Sequence, residues 1–331
     1  MSLLAPTLQT FFTSYLAGQK AASAHTISAY RDTWRLLLRY LHQRHQLNPD
    51  RIDFADLDAD TIAGFLTYLE QDRGNSPTTR NARLAAIHAV FRYASYIHLE
   101  HAELIARVLA LAPKRTVTPD ISYLTDAEVR AVLAAPRTDR WVGRRDHLII
   151  LTLISTGLRV SELTGSTWTD TQLHPPNYLR CHGKGRKDRT TPLTPALAKN
   201  LRAWHQENPQ LEPADPIFTA QGTRRPMTAD AVTQRLAVHT STAASHCLTL
   251  AARKITPHIL RHTCAMRMLG SGIDAATISL WLGHQSIDST RAYLHADMSI
   301  KQRALDRTTP PTSNPGTYKP TGALLTFLEN L

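Results

Sequence analysis

Residues 178–193 read YLRCHGKGRKDRTTPL, the one stretch of the chain that patterns convincingly as sheet. Two short runs, 178–182 and 189–191, flank the glycine-containing turn GKGRKD, which predicts a β-hairpin with a strongly basic tip. On both sides of it, apolar residues recur at helical spacing instead. Downstream, helices are expected around 195–205, 228–238, 257–270 and 275–282. Upstream, Thr125-Asp126-Ala127-Glu128 is a capping-box signature that opens a helix through Val129, Val132 and Leu133. A second helix is expected from about Arg145 into Gly157. The fold class that follows is mainly α with a small antiparallel β-sheet.

The first 112 residues carry no strand pattern at all. Leu8, Phe12, Tyr15 and Leu16 mark a short amphipathic helix, and Ile27, Tyr30, Trp34, Leu37, Leu38 and Leu41 a longer one. Acidic punctuation from Asp50 to Asp60 precedes a third, through Ile62, Phe65, Leu66 and Leu69. Ser76-Pro77, a cap followed by proline at the first helical position, opens a fourth through Leu84, Ile87, Phe91 and Ala94. Residues 113–122 (PKRTVTPDIS) then break the periodicity with two prolines and a basic pair. The expected organisation is a helical domain over 1–112, a linker over 113–122, an α+β domain over 123–307 and a proline-rich tail over 308–331. That tail ends in an apolar segment, Leu324, Leu325, Phe327, Leu328 and Leu331.

Composition narrows the function classes. With 331 residues, 42 % apolar and 20 % charged, the chain can bury two cores of ordinary size. No apolar run approaches the roughly 18 residues of a membrane span, and the first residues lack a basic start followed by an apolar block. Three scattered cysteines, Cys181, Cys247 and Cys264, suit a reducing cytoplasm rather than a disulfide framework. A cytoplasmic protein without a membrane role is expected. Charge is the positive clue: 38 Lys and Arg face 27 Asp and Glu, net +11. The surplus is uneven, with 11 basic and 10 acidic groups in 1–113 against 27 and 17 in 114–331. Such concentration points to a polyanion, nucleic acid before an anionic membrane surface, against the plainer reading of a solvated basic protein. Arg80, Arg83 and Arg92 on the fourth helix read equally as DNA-backbone contacts or as a solvated face.

Four islands in the second half could carry chemistry: TGLRVSEL (156–163), GKG (183–185), HILRH (258–262) and LGH (282–284), followed by Tyr293 in TRAYLH. Arg159 and Arg261 could each clamp phosphate oxygens with a planar fork. His258 and Arg261, three apart on a helix, share a face. Lys184 sits in a glycine-flanked turn where an ammonium could follow a leaving oxygen. Tyr293 supplies a phenol that becomes nucleophilic once its proton is removed or its charge stabilised. These groups fit in-line attack on a phosphodiester, and no cluster of Asp and Glu suits two-metal catalysis. Taken singly, each residue has a plain explanation, and 16 histidines make chance matches easy. The set, in this order, is what is specific.

With these motifs the chain resembles the tyrosine recombinases, the phage integrase family, over roughly Thr7 to Arg307. GLRVSEL is similar to the first catalytic-arginine motif, with Arg159 in that position and Glu162 in the supporting acidic one. Lys184 matches the hairpin lysine, His258 and Arg261 the H-x-x-R pair, His284 the third basic position and Tyr293 the nucleophile. The 23-residue step from Arg261 to His284 is similar to that of Xer-type members. The resemblance implies a SAM-like helical core-binding domain and an α+β catalytic domain that clamp double-stranded DNA at a specific recombination site. It also implies a 3′-phosphotyrosyl intermediate, strand exchange through a Holliday junction and a homo-tetramer on two duplexes, with or without a partner recombinase. No metal and no other cofactor is expected, and the location implied is the nucleoid. Arg80, Arg83, Arg186 and Lys187 are the candidate DNA contacts.

Three rivals remain in view. His258 and His262 are four apart, as in zinc helices, but position 259 is Ile where a metallohydrolase carries glutamate. A type IB topoisomerase uses similar phosphotyrosine chemistry on one duplex. A catalytically inactive DNA clamp would keep the architecture, although a relic is expected to lose a member of the set.

Overall fold

In the N-terminal part, aromatic packing and side-chain caps fix the helices. The expected first helix is two pieces: α1 (Leu4–Thr10) runs into a π-helical segment, Phe11–Gln19, whose Phe11 and Tyr15 rings gather against Tyr93. Ser23 accepts the Thr26 N–H and starts α2 (Ala24–His45); Asp58 accepts that of Thr61 and starts α3 (Ala59–Gln71). Ser76 caps α4 (Pro77–Ala94), with Pro77 in the first turn as its fixed φ favours. The acidic punctuation forms two 3-10 turns, Pro49–Arg51 and Phe54–Asp56, in which Asp53 and Asp56 cap the backbone reciprocally. A further helix, α5 (Ala102–Leu109), was not foreseen; its Ile105 and Val108 close a core built on Trp34, Leu37, Phe65 and Phe91.

The computed structural model describes residues 4–116, 121–183 and 188–283, with Gly322 and Phe327 as isolated positions. By packing, the chain divides into two units, Met1–Pro119 and Asp120–Leu331. Part of the expected linker is anchored in the first unit: Lys114 exchanges backbone bonds with the Asn81 amide and ion-pairs with Glu70.

The second unit opens at the expected capping box. Thr125 accepts the Glu128 N–H while Glu128 reaches back, starting α6 (Asp126–Ala134). Next comes α7 (Trp141–Thr156), which buries residues on every face, as a helix in the middle of a core must. Leu148, Ile149 and Leu153 join it to the core, and the later helix Pro257–Gly270 packs along it once the chain returns. After the short α8 (Val160–Gly165) come β1 (Thr171–Gln172), β2 (Tyr178–His182) and β3 (Asp188–Pro192). These pair antiparallel in the order β1-β2-β3, with Leu179 opposite Thr191 and His182 opposite Asp188. The hairpin thus stands where the sequence placed it, and β1 adds a third strand. Four more helices follow among the described residues: α9 (Pro195–Glu207), α10 (Ala229–Ala244), α11 (Pro257–Gly270) and α12 (Ala275–Leu282). A buried carboxylate braces it internally. Asp146 on α7 accepts from Arg145, Arg235 and His239, tying α10 to α7.

Candidate active site

Helix ends build the site. α7 stops at Gly157, which adopts φ +66° and donates its N–H to the Leu153 carbonyl, while α12 stops at Gly283 with φ +64°. Positive φ is where glycine costs least. A helix C-terminus leaves carbonyls without intrahelical partners and carries partial negative charge, so it favours cationic donors. Here arginines supply them. Arg261, on α11 and 3 % exposed, donates from Nη1 to the Gly157 carbonyl and from Nη2 to the Leu282 carbonyl, both at 2.6 Å. Arg159 donates from Nη2 to the Gly283 carbonyl at 3.1 Å. The Trp281 indole adds a bond to the Thr156 carbonyl at 2.9 Å. The first arginine, the H-x-x-R arginine and the turn that leads into His284 therefore converge on one place.

Glu162 organises this cluster. Its Oε2 accepts the Arg159 backbone N–H at 2.8 Å, which starts α8, and its Oε1 accepts Arg159 Nη1 at 2.8 Å. Arg189, on β3, grips both oxygens of the same carboxylate at 2.8 and 2.9 Å. Burial by itself would raise the Glu162 pKa. The Arg189 fork and the Arg159 donors outweigh it and hold the carboxyl at about 2. Glu162 is thus an anion that keeps two guanidiniums in place, while the Arg159 side chain remains 39 % exposed.

His258 occupies the first turn of α11 and is exposed. Partial desolvation, then the charges of Arg261 and Arg159, lower its pKa, so the imidazole is neutral at neutral pH. Its ring meets that of His262 edge-on, with centroids 4.2 Å apart. Among the described residues, no group of three or more His, Cys, Asp or Glu side chains is placed to share a metal ion.

At the foot of the hairpin, His182 bridges Asp170 at 2.9 Å and Asp188 at 3.1 Å, and these two carboxylates raise its pKa. Lys184, Arg186, Lys187, His284 and Tyr293 lie outside the described residues, as does the apolar tail segment apart from Phe327. The candidate DNA contacts of the first unit are already engaged. Arg80 is 9 % exposed and donates to the Ala112 carbonyl and Asn81. Arg83 donates to the Ala29 carbonyl and the Thr33 hydroxyl. A phosphate contact by either has to compete with those bonds. Sequence reasoning missed Arg189, one more cation in a basic run, and Trp281, which it did not single out within the expected helix 275–282.

The sequence profile of the phage integrase family matches residues 122–299, and that of the family's N-terminal SAM-like domain matches 10–96. The chain belongs to the phage integrase family. Members of this family are the tyrosine recombinases, which cleave and rejoin DNA. The chain is 42 % identical over 329 residues to y4rC of Sinorhizobium fredii, described as an integrase/recombinase, covering 99 % of this chain and 98 % of that protein. It is 29 % identical to the tyrosine recombinase XerC of Chlamydia muridarum, over 90 % of this chain and 96 % of the relative. Among solved structures, it resembles the XerH site-specific recombinase in a post-cleavage complex with a palindromic difH substrate. The TM-score is 0.71 at 18 % identity, over 91 % of this chain and 84 % of that one, a likeness of fold. Among the described residues of this integrase-family chain, no helix is long and apolar enough to cross a membrane.

Proposed function

We propose that the chain is a site-specific recombinase that exchanges strands between two DNA duplexes through a Holliday junction, acting as a homo-tetramer. Tyr293 attacks the scissile phosphorus and becomes joined to the 3′ phosphate, while the 5′ oxygen leaves with a proton from Lys184. Arg159 and Arg261 hold the non-bridging oxygens and carry the extra negative charge of the pentacoordinate transition state. His284 donates a further hydrogen bond to the phosphate. His258, neutral at neutral pH, accepts the tyrosine proton. Glu162 keeps Arg159 in position. The domain roles follow: residues 1–112 bind the core of the DNA site, 113–122 connect, 123–307 hold the chemistry, and the protein works at the nucleoid.

One observation carries this reading. Arg159 and Arg261 come from separate elements, yet they bond to adjacent residues directly before His284, Arg159 to Gly283 and Arg261 to Leu282. That convergence of donors suits one phosphate. Incubation with a nicked suicide substrate tests it. Wild-type protein should form a covalent adduct at the 3′ phosphate, and Tyr293→Phe should bind the same DNA without forming one. An adduct with the phenylalanine variant would remove Tyr293 from the role.

A further inference from the structure

Arg189 has a set of contacts that its place in a basic run does not announce. It stands on β3, on the return limb of the hairpin whose tip carries Lys184. Its Nη1 and Nη2 grip Glu162 bidentately, the geometry in which arginine and carboxylate bind most strongly. Its Nε donates to the Trp281 carbonyl at 3.2 Å, at the end of α12. The same side chain lies so close over Gly283 that a Cβ there would sit 3.0 Å from Arg189 Cδ and Nη1. The side chain is only 14 % exposed, so it is no solvated cation. Three separate parts of the proposed site therefore meet at one guanidinium. They are the strand that follows the segment containing Lys184 in sequence, the carboxylate that holds Arg159, and the turn that precedes His284.

We infer that Arg189 is a positioning residue of the cleavage reaction: through Glu162 and the Trp281–Gly283 turn it sets Arg159, and the start of the His284 segment, in the geometry that receives the phosphate. The inference rests on the recombinase reading above. Arg189 touches no substrate atom in this role. With it removed, Glu162 keeps Arg159 as its only guanidinium partner among the described residues, and the end of α12 loses the Arg189 Nε donor. Lysine is a poor substitute, because an ammonium cannot span both carboxylate oxygens and the carbonyl at once.

The test compares wild type, Arg189→Lys, Glu162→Gln and the double variant on a suicide substrate at saturating DNA. Arg189→Lys should keep its fold and its DNA Kd while adduct formation slows about 10- to 100-fold, the size seen when a group that orients a reacting residue is lost. The double variant should be slower than Glu162→Gln alone by much less than the Arg189→Lys factor, because most of the arginine's effect passes through that carboxylate and only the Trp281 carbonyl bond is lost in addition. Arg189→Lys should also lose rate on acidification at a higher pH than wild type does, since Glu162 then protonates more readily. Multiplicative losses in the double variant, a wild-type rate in Arg189→Lys, or failure of Arg189→Lys to fold would each overturn the inference. A readout free of catalysis keeps this separate from the recombinase reading. The Nε–H resonance of Arg159 in the NMR spectrum of the full chain should shift in Arg189→Lys. If wild type makes no adduct but the resonance shifts, the function fails and the positioning stands; an unmoved resonance overturns the positioning even if wild type cleaves.

Discussion

Arg159 and Gly283 are joined by a hydrogen bond, Nη2 of the arginine donating to the glycine carbonyl, so the arginine proposed to hold the phosphate is tied to the residue directly before His284. Arg261 makes the matching bond one residue earlier, at Leu282. The two guanidiniums are held by backbone before any DNA arrives. This is the preorganisation that electrostatic stabilisation of a transition state requires.

Removing either fork should therefore slow cleavage more than binding. Arg159→Ala and Arg261→Lys are each expected to cost roughly 3–4 kcal/mol of transition-state stabilisation, on the order of a hundred- to thousand-fold in rate. Single-turnover cleavage at saturating DNA measures it, and near-wild-type rates from both variants would sink the assignment.

Gly157 should tolerate alanine much less well than Gly222, although both have positive φ, +66° and +70°. A Cβ at Gly157 would lie 2.4 Å from Leu282 Cδ2 and 3.2 Å from Cys264 Sγ, whereas nothing lies within 4 Å of one at Gly222. Gly222→Ala should cost only the left-handed backbone penalty, about 1–2 kcal/mol. Gly157→Ala adds overpacking of about 1–3 kcal/mol against a fully buried leucine. Urea unfolding compares them, and equal losses would contradict the packing argument.

Acid should unfold the second unit partly through Glu162. Its carboxyl is lowered from 4.5 to about 2, so the stability it contributes is fully present above about pH 4.5 and is lost as the pH falls toward 2. That contribution is about 3 kcal/mol. Glu162→Gln should be less stable at neutral pH and show a shallower loss between about pH 5 and pH 2. Denaturant titrations across that range check it; parallel curves for the two proteins would clear Glu162.

Lys184 is expected to protonate the leaving oxygen. A substrate with sulfur at the 5′-bridging position needs no such proton, because a thiolate leaves unaided. Lys184→Ala should be slow on ordinary DNA and largely recover on the sulfur substrate. Equal impairment on both would assign the lysine to phosphate binding instead.

Much of this was legible in the chain itself, because the signals are local. The Thr125–Glu128 box, the Ser76-Pro77 start and the paired strands of the hairpin depend on residues a few positions apart, and all three are in the structure as read. What escaped reading depends on distant partners. Arg189 looks like any cation of a basic turn until β3 brings it to Glu162, and Asp146 looks like a surface acid until α10 delivers Arg235 and His239. Arg80 and Arg83 were ambiguous for the same reason: the carbonyls they bond, Ala112 and Ala29, are far away in sequence. The helix Ala102–Leu109 was missed because no capping side chain announces its start: it follows His101, which makes no cap bond, whereas the equally short Ala275–Leu282 follows the Asp274 cap.

The arginines at the site fasten largely onto main-chain oxygens, those of Gly157, Trp281, Leu282 and Gly283. A carbonyl is the same atom whatever side chain its residue bears. Drift at positions such as 281 and 282 can thus alter packing while every anchor for the guanidiniums survives. Apart from the Glu162 carboxylate, what mutation can reach is the path of the backbone, which turns there at two glycines of positive φ. The scaffold is therefore permissive of variation at the carbonyl-bearing positions and exacting at Glu162, Gly157 and Gly283.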